Sequence, residues 1–246
     1  MSFGTNLQYL RKMNNAMTQE QLAEKMSVSR QTISKWEADE AYPEMEKLIR
    51  LCELFSCTMD ELLRNDMRTN TDAYSPVQIK TVERFRMARY VIISPQPEND
   101  VLEYINRWAE KSGLTEATGG PLNIIGWDFP FVSSEQQNVY GLRGYAAAVV
   151  LPDDFSPKCD GAEIAWQESR EYAVITITEP FTAPFELIPN AYKQIMKYLD
   201  MNGIKKTASD GIVCFERVYH QEGVCYMDVF IAVDSLVKTA EVYQFR

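Results

Sequence analysis

The chain is poor in the residues that build metal centres and disulfide frameworks. It has a single histidine, His220, and five cysteines. Cys52 and Cys57 are too widely spaced for a CxxC pair, and Cys214 and Cys225 are wider still. Neither a zinc site nor a disulfide scaffold follows. The thiols are expected to be buried or idle, His220 is expected on the surface, and no metal or cofactor is expected. No apolar run approaches the roughly 18–20 residues that a membrane-spanning helix needs. The start, Met1-Ser2-Phe3-Gly4-Thr5, lacks the basic and apolar segments of a signal peptide, so a cytoplasmic protein without a membrane partner is expected. Positive charge is also scarce: 25 Lys and Arg stand against 35 Asp and Glu, a net charge of −10. Residues 1–66 carry 8 basic and 11 acidic side chains, and residues 67–246 carry 17 and 24. Bulk charge therefore excludes a general polyanion binder. Any nucleic-acid contact has to come from a local positive face with a weak phosphate component, and the acidic second half suits a neutral or cationic partner.

What is present is ordinary globular composition, 46% hydrophobic and 24% charged over 246 residues, enough for two domains. Residues 3–66 read as short helices in quick succession. The stretch from Arg68 to Pro76 is polar and poor in aliphatics, the composition of a linker. Beyond residue 83 the pattern turns strand-like, at Met87 to Ser94, Asn138 to Leu151, Tyr172 to Thr178, Gly211 to Tyr219 and Val224 to Val233. Two helical segments stand among them, 98–112 and 184–202. The second half also repeats itself. Tyr90-Val91-Ile92-Ile93 matches Tyr172-Ala173-Val174-Ile175, and Ile124-Ile125-Gly126-Trp127-Asp128 matches Ile212-Val213-Cys214-Phe215-Glu216. The expected organisation is multidomain: an all-α five-helix domain over 1–66, a linker over 67–82, and an α+β domain of two β-α-β-β repeats over 83–246.

Within the first domain, Thr18 and Gln21 form a capping box at a helix start. Leu22 and Met26 share a face, Ser27-Val28-Ser29 is a turn, and Val28 is placed to plug the corner. In the following helix Ile33 and Trp36 face inward, while Gln31, Ser34 and Lys35 face outward with Arg30 at the leading edge. Arg pairs bidentately with guanine and Gln with adenine, and Lys reaches guanine or phosphate. Thr18-Gln19, Leu22-Ala23, Val28-Ser29, Thr32-Ile33 and Trp36-Glu37, then Tyr42-Pro43, the helix Glu44–Phe55 and the capping box of Thr58 and Glu61, resemble the Cro/repressor-type (XRE) helix-turn-helix family. The resemblance implies double-stranded DNA as partner, with Gln19 on a phosphate and Ser29, Arg30, Gln31 and Lys35 on bases. It also implies Thr32 and Ser34 on backbone or base edges, and a homodimer on a near-palindromic operator.

In the second half, Tyr172-Ala173-Val174, Pro189-Asn190-Ala191-Tyr192, Phe215-Glu216-Arg217-Val218-Tyr219 and Met227-Asp228-Val229-Phe230-Ile231 resemble the GyrI-like, or AraC effector-binding, domain. That resemblance implies two β-α-β-β repeats around a central groove that takes a small molecule. Drug-sensing members hold lipophilic cations on an acidic residue among aromatics. Glu216 stands at that position, with Asp228 and Phe230 at a second acidic and an aromatic one. A carboxylate in an apolar groove is costly alone and is compensated by a cation. Trp127, Tyr145 and Trp166 are the aromatics expected beside it, and Asp128 follows Trp127 as Glu216 follows Phe215. The expectation is a non-enzymatic, ligand-responsive, sequence-specific transcription regulator sensing an aromatic or lipophilic, cationic compound. Two alternatives stand beside it: a small-molecule hydrolase with Glu216 as general base, and a scaffold that only dimerises or recruits a protein.

Overall fold

The computed structural model describes residues 2–14, 16–64, 73–207, 211–234 and 241–245. Residues 67–72 of the expected linker, and 235–240 and 246 of the tail, lie outside the described residues. The chain divides into two compact units, Met1–Val77 with Phe181–Lys205, and Gln78–Pro180 with Lys206–Arg246.

The first unit holds the five expected helices, α1 (Phe3–Met13), α2 (Gln19–Met26), α3 (Arg30–Glu37), α4 (Met45–Leu54) and α5 (Met59–Leu63). Thr18 and Thr58 both make complete capping boxes, with Gln21 and Glu61. Phe3, Leu7, Leu10, Leu22, Met26, Ile33, Trp36, Leu51, Phe55 and Leu62 form its core. Burying a side chain of that size contributes roughly 1.5–3 kcal/mol. Gly4 lets α1 approach α3 closely, because a Cβ there would sit 2.5 Å from the Trp36 carbonyl oxygen. The segment Phe181–Lys205 joins this unit. It contains the long helix of the second repeat, Pro184–Met201, and Met201 packs against the N-terminal core. The expected boundaries at 66 and 83 do not anticipate this.

In the second unit, β2 (Phe85–Ser94), α6 (Pro97–Ser112), β3 (Ile124–Asp128) and β4 (Arg143–Leu151) form the first repeat. The strands of the second are β6 (Arg170–Thr178), β7 (Cys214–Gln221) and β8 (Val224–Ala232), with the helix Pro184–Met201 between β6 and β7 in the chain. Three strands went unread in the sequence: β1 (Gln78–Val82), inside the expected linker, β5 (Glu163–Gln167) and β9 (Glu241–Tyr243). The expected strand from Asn138 starts only at Arg143. Ser133 and Gln136 form a capping box that winds Ser134–Asn138, α8, into a helical turn, with α7 (Leu114–Thr118) earlier in the chain.

The strands of the described residues form one nine-stranded sheet in the order β5-β2-β4-β3-β7-β8-β6-β1-β9. Each repeat supplies three consecutive strands, and β3 and β7 meet at the middle, with Gly126 opposite Glu216. Two short connections force the sheet to curl. Glu83-Arg84 links β1 to β2, and Glu168-Ser169 links β5 to β6. A flat sheet would hold each of those pairs about 29 Å apart at ~4.8 Å per strand, whereas two residues reach at most about 11 Å. An Arg84–Glu168 ion pair, 3.2 Å, ties the two connections together. The concave side is filled by Phe85, Met87, Ile125, Tyr172, Val174, Phe215 and Phe230. On the convex side α6 packs Val101, Ile105 and Trp108 over Ala88, Ala147 and Val149. No helix among the described residues is long and apolar enough to cross a membrane.

Candidate nucleic-acid interface and candidate ligand groove

Helix α2 ends where Ser27 takes the left-handed conformation, φ 54°. That costs a non-glycine residue roughly 1–2 kcal/mol, and it is held by the Val28 amide donating to the Ala23 carbonyl at 3.0 Å. The Val28 side chain packs against the core, plugging the corner. Ser29 then caps α3, its hydroxyl accepting from the Thr32 amide at 3.1 Å and meeting Thr32 Oγ1 at 2.9 Å. With Ile33 and Trp36 buried, the same helix exposes Arg30, Gln31, Ser34 and Lys35. Of the seven residues expected at DNA, these four form the outward face. Ser29 and Thr32 set the start of the helix. Gln19 is held from behind: its Nε2 donates to Glu37 Oε2 at 3.0 Å. Glu37 is in turn clamped by Arg11, with Nε–Oε1 at 2.5 Å and Nη2–Oε2 at 3.1 Å. Arg11 has no separate sequence signal, because an arginine at the polar edge of a helix reads as solvent-facing.

The six expected ligand residues do not converge on one groove. Paired residues of neighbouring strands share a face and successive residues alternate. Glu216 pairs with Val229, whereas Arg217 pairs with Asp228 and Phe215 with Phe230. Glu216 therefore faces the convex, α6-bearing side, and Asp228 and Phe230 face the concave side. Trp127 also packs into the concave cluster. Trp166 lies on β5 at the sheet edge, half-exposed under the Arg84 guanidinium at 4.1 Å. Four strand spacings separate β5 from β7.

The structure does bring Glu216 and Tyr145 together, the phenol Oη standing 3.4 Å from Glu216 Oε2. Burial is the largest cause that raises the Tyr145 hydroxyl well above its ordinary pKa, followed by the negative charges of Glu216, Glu98 and Asp128. Burial and then the same pair, Asp128 and Glu216, push the Cys214 thiol up. The convex centre is thus an acidic cluster around one phenol, with Asp128 and Glu216 at equivalent positions of the two repeats. Glu98, in the first turn of α6, was not read from the sequence, since helical periodicity does not show where a helix end overhangs a sheet. Gly126 makes room for the ring: a Cβ there would lie 2.7 Å from Tyr145 Cε1 and Oη. Gly126→Ala is expected to cost about 1–3 kcal/mol through overpacking, read by thermal unfolding. Gly120→Ala, whose nearest neighbour is 3.9 Å away, should be close to neutral.

On the concave side Asp228 is already satisfied. Its Oδ1 accepts from Thr176 Oγ1 and its Oδ2 from Tyr243 Oη, both at 2.6 Å. Arg217 donates to Tyr243 Oη at 2.7 Å and to Asn123 Oδ1 at 2.6 Å. Its guanidinium lies 4.9 Å from the centre of Tyr219 and 5.6 Å from that of Phe245. The cation among these aromatics is supplied by the protein itself.

Comparison with known proteins places the first unit. The helix-turn-helix family model HTH_3 matches residues 7–62. Over 66 residues the chain is 52% identical to the HTH-type transcriptional activator BcrR of Enterococcus faecalis. That alignment covers 27% of this chain and 32% of BcrR, so the chain spans about a third of the length of the curated relative it matches. The structure of EcmrR in a DNA complex is similar over 87% of this chain and 98% of its own, at 11% identity and TM-score 0.43. The EcmrR C-terminal domain is similar over 66% of this chain and 99% of its own, at 13% identity and TM-score 0.46. No residue of the second unit takes a role from either structure. By the family match and by the α2–turn–α3 geometry, the N-terminal part of the chain is a helix-turn-helix domain of the HTH_3 family.

Proposed function

We propose that the protein is a one-component transcription regulator that binds a near-palindromic operator as a homodimer and whose DNA binding responds to a small aromatic or lipophilic cation. The observation that carries the reading is the outward face of α3. Arg30, Gln31, Ser34 and Lys35 are exposed together on a helix whose other side is locked into the core. They stand in a domain half identical to that of a transcriptional activator. Solvated helix faces more often carry Glu–Lys pairs, whereas Arg and Gln are the residues that read guanine and adenine edges. The acidic convex centre supports the ligand class. Glu216, Asp128 and Glu98 surround Tyr145, an environment that favours a cation with aromatic character.

The test is selection of an operator from a random pool, followed by fluorescence anisotropy. Arg30→Ala and Gln31→Ala should each weaken the selected site by about 1–3 kcal/mol, roughly 5- to 150-fold, and relax preference at one base pair. Lys35→Ala should also flatten the salt dependence if it contacts phosphate. A pool that yields no preferred sequence, or variants that bind the selected site as tightly as the parent chain, would remove this reading. Steady consumption of an added cationic or lipophilic probe would instead make the second unit an enzyme.

A further inference from the structure

The end of α4 brings two thiols together. After Leu54 and Phe55, Ser56 takes the left-handed conformation, φ 47°. The Ser56 amide donates to the Glu53 carbonyl at 3.4 Å, and the Cys57 amide donates to the Cys52 carbonyl at 3.0 Å. These are the two bonds of a Schellman turn, whose outer residues bring their side chains into contact. Here the outer residues are Cys52 and Cys57. The same turn ends α2 with Ala23 and Val28 in those places, so its fold needs no sulfur. A backbone bond of that length keeps the two Cα atoms within about 7 Å, and disulfides span roughly 4.4–6.8 Å between Cα atoms. Both side chains are partly buried against the helix-turn-helix core, and the two thiols hydrogen-bond each other. Burial is the largest cause that raises both, the Cys57 thiol to about 12. Their mutual bond favours the anion of Cys52 and opposes that of Cys57. Glu61 opposes both anions, Glu53 opposes that of Cys52, and Lys197 favours that of Cys57. Cys214 and Cys225 of the sheet stand opposite Ile231 and His220 instead of each other.

We propose that Cys52 and Cys57 form a dithiol site that closes to an intramolecular disulfide by exchange with a small-molecule disulfide. The Cys52 thiolate attacks one sulfur of that reagent, and the other sulfur leaves as a thiolate and takes up a proton. Cys57 then loses its proton to solvent, and its sulfur attacks the Cys52 sulfur of the mixed disulfide. The second small thiolate leaves and is protonated in turn. Two protein thiols are oxidised and one reagent disulfide is reduced to two thiols. The turn already holds the second thiol beside the first, so the closing step is intramolecular and needs no backbone movement. Thr58, the next residue, carries the capping box that starts α5. Helix α5 is tied to α1 by Asn6 Nδ2, which donates to the Glu61 and Leu62 carbonyls at 3.3 and 3.0 Å. The disulfide therefore fastens the end of α4 to the start of a helix already held by α1.

The experiment uses the full, folded chain. It is equilibrated with oxidised and reduced glutathione at about pH 8.5, where an ordinary thiol is half ionised. Remaining thiols are blocked with N-ethylmaleimide, and the peptides are mapped by mass spectrometry. The expected product is a Cys52–Cys57 link within one chain, lost again in dithiothreitol, with Cys159, Cys214 and Cys225 blocked by the maleimide. Cys57→Ser should lose the link and stop at the mixed disulfide of Cys52 with glutathione, the intermediate of the first step. A folded parent chain in which both Cys52 and Cys57 are blocked by the maleimide overturns the proposal. So does a parent chain that stops at the mixed disulfide, or one whose link forms between two chains or only in urea.

Discussion

Glu37→Ala is expected to destabilise the helix-turn-helix unit by about 3–5 kcal/mol and to abolish operator binding with it. Glu37 and Arg11 form an ion pair with side chains only 3% and 9% exposed. The guanidinium also donates to the Met17 carbonyl at 2.5 Å. Truncating the carboxylate leaves a buried cation without its counter-charge, the situation that carries the cost. A domain of this size has only about 5–15 kcal/mol in total. The functional loss has a second source, because Glu37 Oε2 also holds the Gln19 amide at 3.0 Å, and Gln19 is the residue expected on the phosphate backbone. The measurement is hydrogen exchange of the α1 to α3 amides together with urea unfolding of the full chain. The double replacement Arg11→Met, Glu37→Leu separates charge from packing: an apolar pair of similar volume should recover much of the stability but not the Gln19 contact. Slow exchange through α1 to α3 in Glu37→Ala would show that the pair is not needed.

Much of this was legible in the sequence where local rules act alone. Thr18 with Gln21 and Thr58 with Glu61 announce helix starts through groups three residues apart, and both boxes are present. The internal repeat was visible as recurring apolar runs, but the register that matches Tyr90 with Tyr172 is not the one the faces follow: Tyr90 packs with α6 on the convex side, whereas Tyr172 lies in the concave cluster. The edge strands were not legible. Glu163–Gln167 and Glu241–Tyr243, at the two ends of the strand order, are short, as edge strands are, and Gln78–Val82, next to the latter, is polar or charged at three of its five positions. Nor was the parity of the hairpin. A strand presents alternate residues to opposite faces, so two carboxylates one register step apart land on opposite sides. Asp228 lies one residue from Val229, the partner of Glu216, and that single step moves it from the face of Glu216 to the opposite, concave one. The association of Pro184–Met201 with the N-terminal unit was also hidden. Its apolar spacing says that the helix is buried, and spacing does not name the partner.

Glu216→Gln is expected to weaken an aryl quaternary ammonium by about 10- to 100-fold and to leave operator affinity in its absence unchanged. The side chain keeps its shape and loses its charge. A quaternary ammonium donates no hydrogen bond, so its attraction to the carboxylate is coulombic, about 1–4 kcal/mol at ~4 Å between water-like and protein-surface dielectrics, and about 1.4 kcal/mol is a factor of ten. The neutral carbon isostere of the probe should bind Glu216→Gln as well as it binds the parent chain, since it gains nothing from the carboxylate. Asp128→Asn should have a smaller effect, because Asp128 is exposed and water screens it. Asp228→Asn supplies the contrast. Its carboxylate receives the hydroxyls of Thr176 and Tyr243 inside the curled sheet. Its loss should lower the unfolding temperature of the sheet unit and leave cation affinity intact. Calorimetric titration of the three variants with the charged and neutral probes decides between the two faces. If Asp228→Asn abolishes cation binding while Glu216→Gln keeps it, the ligand sits in the aromatic interior, where it would have to displace Arg217 from among Tyr219, Tyr243 and Phe245.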